Sequence, residues 1–344
     1  MMLQILLIFT YLLGITVAAD CAEYKTCSSC VNGTVGCGWC LEENKCSTSA
    51  DCKTVYFLKD EPSNCPRQPD PNFPFNETLA RNWVLPLCAA AYGTEPNVCI
   101  QKHVPTATYY DRVEVVCDEF KKLGDNCSAY TSYDKSLQQI IVTFRGSAGK
   151  YEMFIEFLSI VNHKDDFFGT GKVYDYFHTA FLKIWQPQLQ TQFRALRKVF
   201  PGYKVLVIGH SLGGALAALG AAYIAKVEGV PGKDIRLITF GEPRVGDKNF
   251  ADYLETTIPS SYRVVHQLDP IPRLPPKLSI FDMVHHRTEL WYQNDMTPGK
   301  KYDICPYQDL DGTCANTKQA WVFGDHTSYY HPPAAIPAWG RGGC

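Results

Sequence analysis

Three features of the sequence predict an α/β fold with a mostly parallel sheet covered by helices on both faces. From Leu137 onward, short apolar runs alternate with longer helical patterns. The apolar runs are rich in Val and Ile, as buried strands require. Eight of the 15 cysteines crowd into the N-terminal stretch, which marks it as a separate small module. Strand and helix in alternation is the pattern of parallel strands joined by helical crossovers.

The strands are expected at residues 138–144, 203–208, 234–240, 262–267 and 286–292. Helices are expected at 178–199, 212–227 and 250–255, with earlier helical signals at 77–92. No internal repeat and no low-complexity block interrupts them.

The chain has 344 residues, 46% hydrophobic and 20% charged, which is ordinary globular composition. That is enough for one large core plus a module. The formal net charge of −2 leaves no basic excess to attract nucleic acid or an anionic membrane. Any membrane contact must therefore be apolar and local.

Residues 1–19 are nearly all apolar and end on small residues, Val17 and Ala19, before Asp20. They read as a signal peptide, although no Lys or Arg precedes the apolar stretch. The alternative is an uncleaved anchor, for which the run is short. Fifteen cysteines and three glycosylation sequons, at Asn32, Asn76 and Asn126, fit the same secretory route. The expected destination is the extracellular space or the lumen of a lysosome-like compartment.

Residues 20–66 hold Cys21, Cys27, Cys30, Cys37, Cys40, Cys46, Cys52 and Cys65 with little apolar material. Cross-links must stand in for a core there. Cys27/Cys30 and Cys37/Cys40 also have the spacing of zinc ligands, the competing reading. The cysteine spacing and Trp39 resemble a PSI domain, the small disulfide module of plexins, semaphorins and integrins. That resemblance implies a module for contacts with a protein partner and carries no chemistry. Residues 67–75 read as a Pro-rich linker, and 76–344 as one globular domain.

Gly209-His-Ser-Leu-Gly213 lies between a Val/Ile strand and an Ala-rich helix. G-x-S-x-G in that setting is a nucleophile elbow: a tight strand-to-helix turn that projects the Ser211 hydroxyl from the sheet. The helix that follows aims N–H groups and a positive dipole end at the reacting centre. A serine hydroxyl needs a histidine base, and that base needs a carboxylate to fix its tautomer.

In this arrangement the chain order is Ser, acid, His. Asp269, closing the strand at 262–267 and followed by Pro270, is the expected acid; Asp247 competes. His326 is the expected base; His285, His286 and His331 compete. The oxyanion of acyl transfer needs preorganised donors. The Leu212 backbone N–H supplies one. The Ser147 N–H, at the turn Phe144-Arg-Gly-Ser147, is the candidate for the second; a plain polar turn is the alternative.

Residues 151–161 follow. Phe154, Phe157 and Leu158 share one helical face with Val161. The stretch reads either as a core-facing helix or as a lid whose apolar face covers the site.

Four segments together resemble the class 3 lipases, the family of the fungal triacylglycerol lipases, and nematode members in particular. They are Ile140-Ile-Val-Thr-Phe-Arg-Gly-Ser147, Gly209-His-Ser-Leu-Gly-Gly-Ala215, Thr239-Phe-Gly-Glu-Pro-Arg-Val-Gly246 and Val265-His-Gln-Leu-Asp-Pro-Ile-Pro-Arg-Leu-Pro-Pro276. Asp325-His326 and Tyr329 close the set. The resemblance implies an α/β-hydrolase fold and hydrolysis of lipid esters, with an oil–water interface as the place of action. It implies Ser211, Asp269 and His326 as the triad, Ser147 and Leu212 as oxyanion donors, and a lid after Ser147. The Trp of the fungal lid helix has no counterpart here. Neither a metal nor an organic cofactor is implied. Cys305 is expected to pair with Cys314, and Cys117 with Cys127; Cys88, Cys99 and Cys344 then leave one odd thiol.

Competing functions remain at this point: a phospholipase, a feruloyl-type esterase, or a lipase-fold protein that only binds lipid or protein. The complete triad favours hydrolysis, and the apolar stretch after Ser147 favours lipid.

Overall fold

The computed structural model describes residues 20–33, 36–41, 43–53, 57–59, 65–117, 126–147, 163–276, 282–307, 309, 314–318, 320–330 and 332–344. The chain divides between Pro66 and Arg67 into two compact units. The stretch carrying Phe154, Phe157 and Leu158 lies outside the described residues.

The first unit is built on cysteine. Helix α1 (Cys27–Val31) starts at a capping box in which Thr26 and Ser29 satisfy each other's backbone N–H groups. Strands β1 (Cys37–Cys40), β2 (Lys45–Thr48) and β3 (Phe57–Leu58) form an antiparallel sheet in the order β2-β1-β3. Four disulfides tie it: Cys21–Cys37, Cys27–Cys65, Cys30–Cys46 and Cys40–Cys52. Besides cysteines, only Trp39, Leu41 and Leu58 are buried apolar side chains among its described residues. All eight thiols are consumed, so the zinc alternative has no ligands left. Asn32 is exposed at the end of α1.

The second unit is built on an eight-stranded sheet, in the order β13-β12-β11-β10-β9-β6-β5-β4. Strands β4 (Ala107–Val116), β5 (Asn126–Asp134) and β6 (Gln139–Phe144) pair antiparallel at one edge. From β6 the sheet runs parallel through β9 (Lys204–His210), β10 (Ile235–Phe240), β11 (Ser260–His266) and β12 (Glu289–Tyr292). The antiparallel strand β13 (Asp303–Cys305) closes the other edge. A small hairpin, β7 (Lys164–Asp166) with β8 (Lys172–Tyr174), lies apart from this sheet.

Both faces are covered because the strands at the middle of the sheet bury apolar residues on both sides. In β9, Val205 and Val207 enter one core, while Leu206 and Ile208 enter the other. The first core takes α4 (Asp175–Ile184), α5 (Gln190–Val199) and α6 (Leu212–Lys226), with Phe250 of α7 (Lys248–Thr257). The second takes α2 (Leu85–Ala90), α3 (Pro96–His103) and Ile336 of α9 (Ile336–Arg341). One further short helix, α8 (Phe323–Thr327), lies near the site.

Three expectations change. The single helix expected at 178–199 is two, α4 and α5, separated by a π turn at Trp185–Leu189. Pro187 is the cause: it pushes Gln186 to an extended φ/ψ of −102°/132°. Strands β4 and β5 join those expected; their apolar alternation is short and broken, by Asp111 in β4 and by Thr131 in β5. β4 is an edge strand with mostly exposed or half-buried positions, and β5 buries Ser128, Thr131, Ser132 and Asp134. Finally, residues 67–75 are strapped to the second unit. The Arg67 N–H donates to the Pro306 carbonyl at 2.9 Å, the Tyr262 hydroxyl donates to the Phe73 carbonyl at 2.5 Å, and the Phe75 ring lies 5.3 Å from that of Tyr262.

Cys99 is bonded to Cys344, Cys117 to Cys127 and Cys305 to Cys314. The odd thiol is Cys88, fully buried, with its pKa pushed well up by burial. Asn76 and Asn126 are exposed at element starts, and the Asn76 side chain caps the helical turn at Glu77–Leu79.

The loops beyond β10 and β11 are knotted by Arg244. Its guanidinium meets Asp309 through two bonds, Nε–Oδ2 at 2.6 Å and Nη2–Oδ1 at 3.0 Å. It also donates to the Arg273 and Pro275 carbonyls, both at 2.6 Å. Burial opposes ionisation of Asp309, but Arg244 and neighbouring donors outweigh it and hold the carboxyl far below the usual range. Removing one partner of such a pair strands a buried charge. Arg244→Met is therefore expected to cost about 3–5 kcal/mol of unfolding free energy. Because folding depresses the Asp309 pKa, its contribution is present above about pH 4 and fades as pH falls below that. Melting temperatures from pH 7 down to 3 check both points: the variant should start lower and lose less on acidification.

Candidate active site

Ser211 sits between the last residue of β9 and the first of α6, at φ 61° and ψ −132°. A positive φ on a residue with a side chain is strained. The surroundings enforce it. A Cβ on Gly209 would collide with the Gly213 carbonyl, and a Cβ on Gly213 with the Phe144 carbonyl. Only glycine at both positions lets the strand turn into the helix this tightly. The Ser211 N–H donates to the Phe240 carbonyl at 2.9 Å, which ties the elbow to β10. Ser211 Oγ is buried and has no hydrogen-bond partner among the described residues.

Asp269 lies in the turn after β11, where its N–H donates to the His266 carbonyl at 2.9 Å. His326 lies in α8. Its Nδ1 is 3.0 Å from Asp269 Oδ1 and 2.9 Å from Oδ2. The Tyr329 hydroxyl donates to Oδ2 at 2.5 Å, and the Ile271 N–H to Oδ1 at 2.9 Å. Asp269, His326 and Tyr329 are all buried. Burial by itself would raise the Asp269 pKa. The charge and hydrogen bond of His326, with the Tyr329 and Ile271 donors, outweigh that and hold it below the ordinary carboxylate value. An ionised carboxylate only accepts, so Nδ1 carries the proton and Nε2 is left as the acceptor.

Phe240 and Gly241, at the end of β10, join the elbow to this pair. Phe240 accepts from Ser211 N–H, and a Cβ on Gly241 (φ +58°) would lie 2.8 Å from both Asp269 Oδ2 and His326 Nδ1. Asp325, beside His326, accepts from the Leu268 N–H at 3.0 Å and so latches α8 to the acid loop.

Tyr92, His210, Gly241 and Tyr329 were not singled out by their sequence positions as supports of the pair. His210 Nε2 is 2.7 Å from the His326 carbonyl oxygen, and its ring centroid is 4.6 Å from that of His326. A carbonyl only accepts, so Nε2 carries the proton. Burial, then the neighbouring His326, push the His210 pKa down to about 3, so the ring is neutral. Its Nδ1 must then accept, and the Tyr92 hydroxyl donates to it at 2.8 Å. The only hints in sequence are the His inside G-x-S-x-G and the Tyr three residues after His326.

Gly146 lies against the elbow: a Cβ there would come within 3.0 Å of Ser211 Cβ. That places the Gly146–Ser147 turn beside Ser211. Ser147 is buried, and its hydroxyl has no hydrogen-bond partner among the described residues. Leu212 is the first residue of α6, where helix geometry leaves backbone N–H groups without intrahelical acceptors.

The competitors are occupied elsewhere. Asp247 caps α7, accepting from the Phe250 N–H at 3.0 Å and the Lys172 N–H at 3.1 Å. His285 Nε2 is bound to the Pro272 carbonyl at 2.7 Å, and burial pushes its pKa well down. His286 Nδ1 lies 3.0 Å from Ser261 Oγ. His331 lies outside the described residues.

Two variants test the supports. Gly241→Ala forces a strained φ and displaces the Asp–His pair; a misplacement of this kind costs on the order of 100-fold in turnover. Tyr92→Phe leaves the buried His210 Nδ1 unpaired, a penalty of about 1–3 kcal/mol, and should lower kcat by roughly tenfold with little change in KM. Steady-state kinetics on a dissolved ester measure both.

Comparison with known proteins agrees with this geometry. The class 3 lipase family model matches residues 141–279, and the plexin repeat model matches residues 20–67. A lipase of Caenorhabditis elegans is 32% identical over 301 residues, 78% of this chain and 83% of its own length. A secreted mono- and diacylglycerol lipase of Fusarium solani is 32% identical over 225 residues, 62% of this chain and 64% of its own length. A solved triacylglycerol lipase, described as having a serine protease triad at its catalytic centre, superposes with a TM-score of 0.63 at 25% identity. That match covers 74% of this chain and 94% of the other. With its fold, its elbow and a relative matched over most of both lengths, the chain belongs to the class 3 lipase family and is a carboxylic ester hydrolase of the α/β-hydrolase fold.

Proposed function

We propose that Ser211, His326 and Asp269 are the catalytic triad of a secreted acylglycerol lipase. One observation carries the assignment: a buried histidine whose Nδ1 is shared by both oxygens of a buried aspartate, set against a strained serine elbow. His326 Nε2 takes the Ser211 proton as Oγ attacks the ester carbonyl carbon. The oxyanion is received by the N–H groups of Leu212 and Ser147. The tetrahedral intermediate collapses, the C–O bond breaks, and His326 returns the proton to the leaving alcohol. Water then attacks the acyl-enzyme with His326 again as base, and the acid is released. Asp269 stays ionised throughout and balances the imidazolium, while the neutral His210 adds no opposing charge beside it.

The acylglycerol substrate is supported by the relatives' mono-, di- and triacylglycerol activities. A route through the secretory pathway is supported by seven disulfides and the apolar first 19 residues. The cysteine-rich unit is read as a module for protein contacts, supported by its plexin-repeat match. The stretch at 151–161 is read as the lid, supported by its apolar face beside the Ser147 turn.

Hydrolysis of a dissolved short-chain ester and of an emulsified long-chain triglyceride tests this reading. The wild type should cleave both and favour the emulsion. Ser211→Ala should lose at least about four orders of magnitude in kcat on each. Cleavage of the dissolved ester alone would shift the substrate class to soluble esters. Equal inertness of both proteins would remove the catalytic assignment.

A further inference from the structure

Trp321, Val322 and Phe323 are 50%, 41% and 44% exposed. They are the one run of three consecutive exposed large apolar side chains among the described residues. Single exposed apolar residues are ordinary, whereas a contiguous patch marks a contact.

The patch is fixed in place. The Val322 N–H donates to the Leu268 carbonyl at 3.1 Å. Arg273 clamps the segment to the acid loop: Nη2 donates to the Ala320 carbonyl at 2.7 Å and to the Leu268 carbonyl at 2.8 Å, and Nη1 to the Lys318 carbonyl at 2.5 Å. His326 follows Phe323 by three residues, in the same short helix. The apolar run therefore shares one hydrogen-bonded frame with Asp269 and His326.

We propose that Trp321, Val322 and Phe323 form a fixed apolar anchor that seats the mouth of the active site on a neutral lipid surface. This rests on the reading of that site as a lipid ester hydrolase. Continuity with the site argues for lipid over protein, because whatever these side chains touch is brought up to His326. Trp favours the lipid–water boundary, where its ring is buried while its N–H stays wet. The formal net charge of −2 offers no electrostatic attraction to anionic lipid, so burial of apolar area is the driving term. A clamped segment also loses little conformational entropy on contact.

The test uses the full chain carrying Ser211→Ala, so that binding is read without turnover. Its partition onto phosphatidylcholine vesicles and onto a triolein emulsion is measured by flotation, with thermal melts confirming that each variant folds. Adding Trp321→Ser with Phe323→Ser should lower partition by at least about tenfold. Trp321→Tyr alone should keep it within about threefold, and phosphatidylserine in the vesicles should leave it unchanged. With Ser211 restored, the double variant's emulsion rate should fall about tenfold relative to its dissolved-ester rate. Equal partition of the double variant and its parent overturns the proposal. So does a change of oligomeric state on a sizing column with partition intact, which would assign the patch to a protein interface. If the wild type cleaves no ester at all, the catalytic reading fails, while vesicle partition still decides the anchor.

Discussion

The close approach of α6 to the sheet at Gly209 and Gly213 sets the conditions for everything around it. The chain must pass from β9 into α6 within one residue, and Ser211 takes a positive φ to do so. Strain of this kind persists only where the surroundings over-determine it. Here they do: Gly213 lies against the Phe144 carbonyl, Ser211 N–H is bound to Phe240, and residues 212–224 of the helix are buried throughout. Small residues along α6 are the condition for that depth, which is why the helix is rich in Ala and Gly.

Around this rigid elbow Asp269 comes from a turn and His326 from a short helix, both outside the sheet, and such segments need their own restraints. The structure supplies them as hydrogen bonds between loops, beside the packing of Ile271, Leu274 and Tyr329 into the cores. Asp325 latches α8 to Leu268, Arg273 ties residues 318 and 320 to residues 268 and 269, and Arg244 gathers Arg273, Pro275 and Asp309. Two arginines from two of the family-like segments thus act as cross-links between loops that share no strand. Guanidinium groups suit this task because one planar fork can serve several carbonyl oxygens at once.

The electrostatics follow from burial. Asp269 is kept ionised inside the protein because four contacts, two from His326 and one each from Tyr329 and Ile271, replace its hydration. His210, its ring tilted beside that of His326, is kept neutral by the same burial, with a carbonyl at one nitrogen and a hydroxyl at the other. A charged ring there would oppose a positive charge on His326, which the proposed mechanism requires.

Much of this was legible in the residues. G-x-S-x-G named its own geometry, because only a tight turn needs glycine on both sides of a serine. The central strands announced themselves as apolar runs because both their faces are buried. Asp269 and His326 were expected from chain order, and the structure brings them within 3.0 Å. What the residues could not display were relations between distant positions. β5 mixes buried polar and apolar residues and so has only a broken apolar rhythm, Pro187 broke a helix that periodicity had drawn as one, and Asp269 differs from Asp247 in meeting the His326 ring and the Tyr329 hydroxyl, where Asp247 caps a helix. The pairing of Cys99 with Cys344, 245 residues apart, left Cys88 as the odd thiol. Local chemistry is written in neighbouring residues, so the sequence alone determined the elbow, the strand–helix alternation and the disulfide-built module. Which carboxylate faces the histidine, what keeps His210 neutral and what clamps the loops depend on groups far apart in the chain, and only the tertiary fold, by bringing them together, decided those.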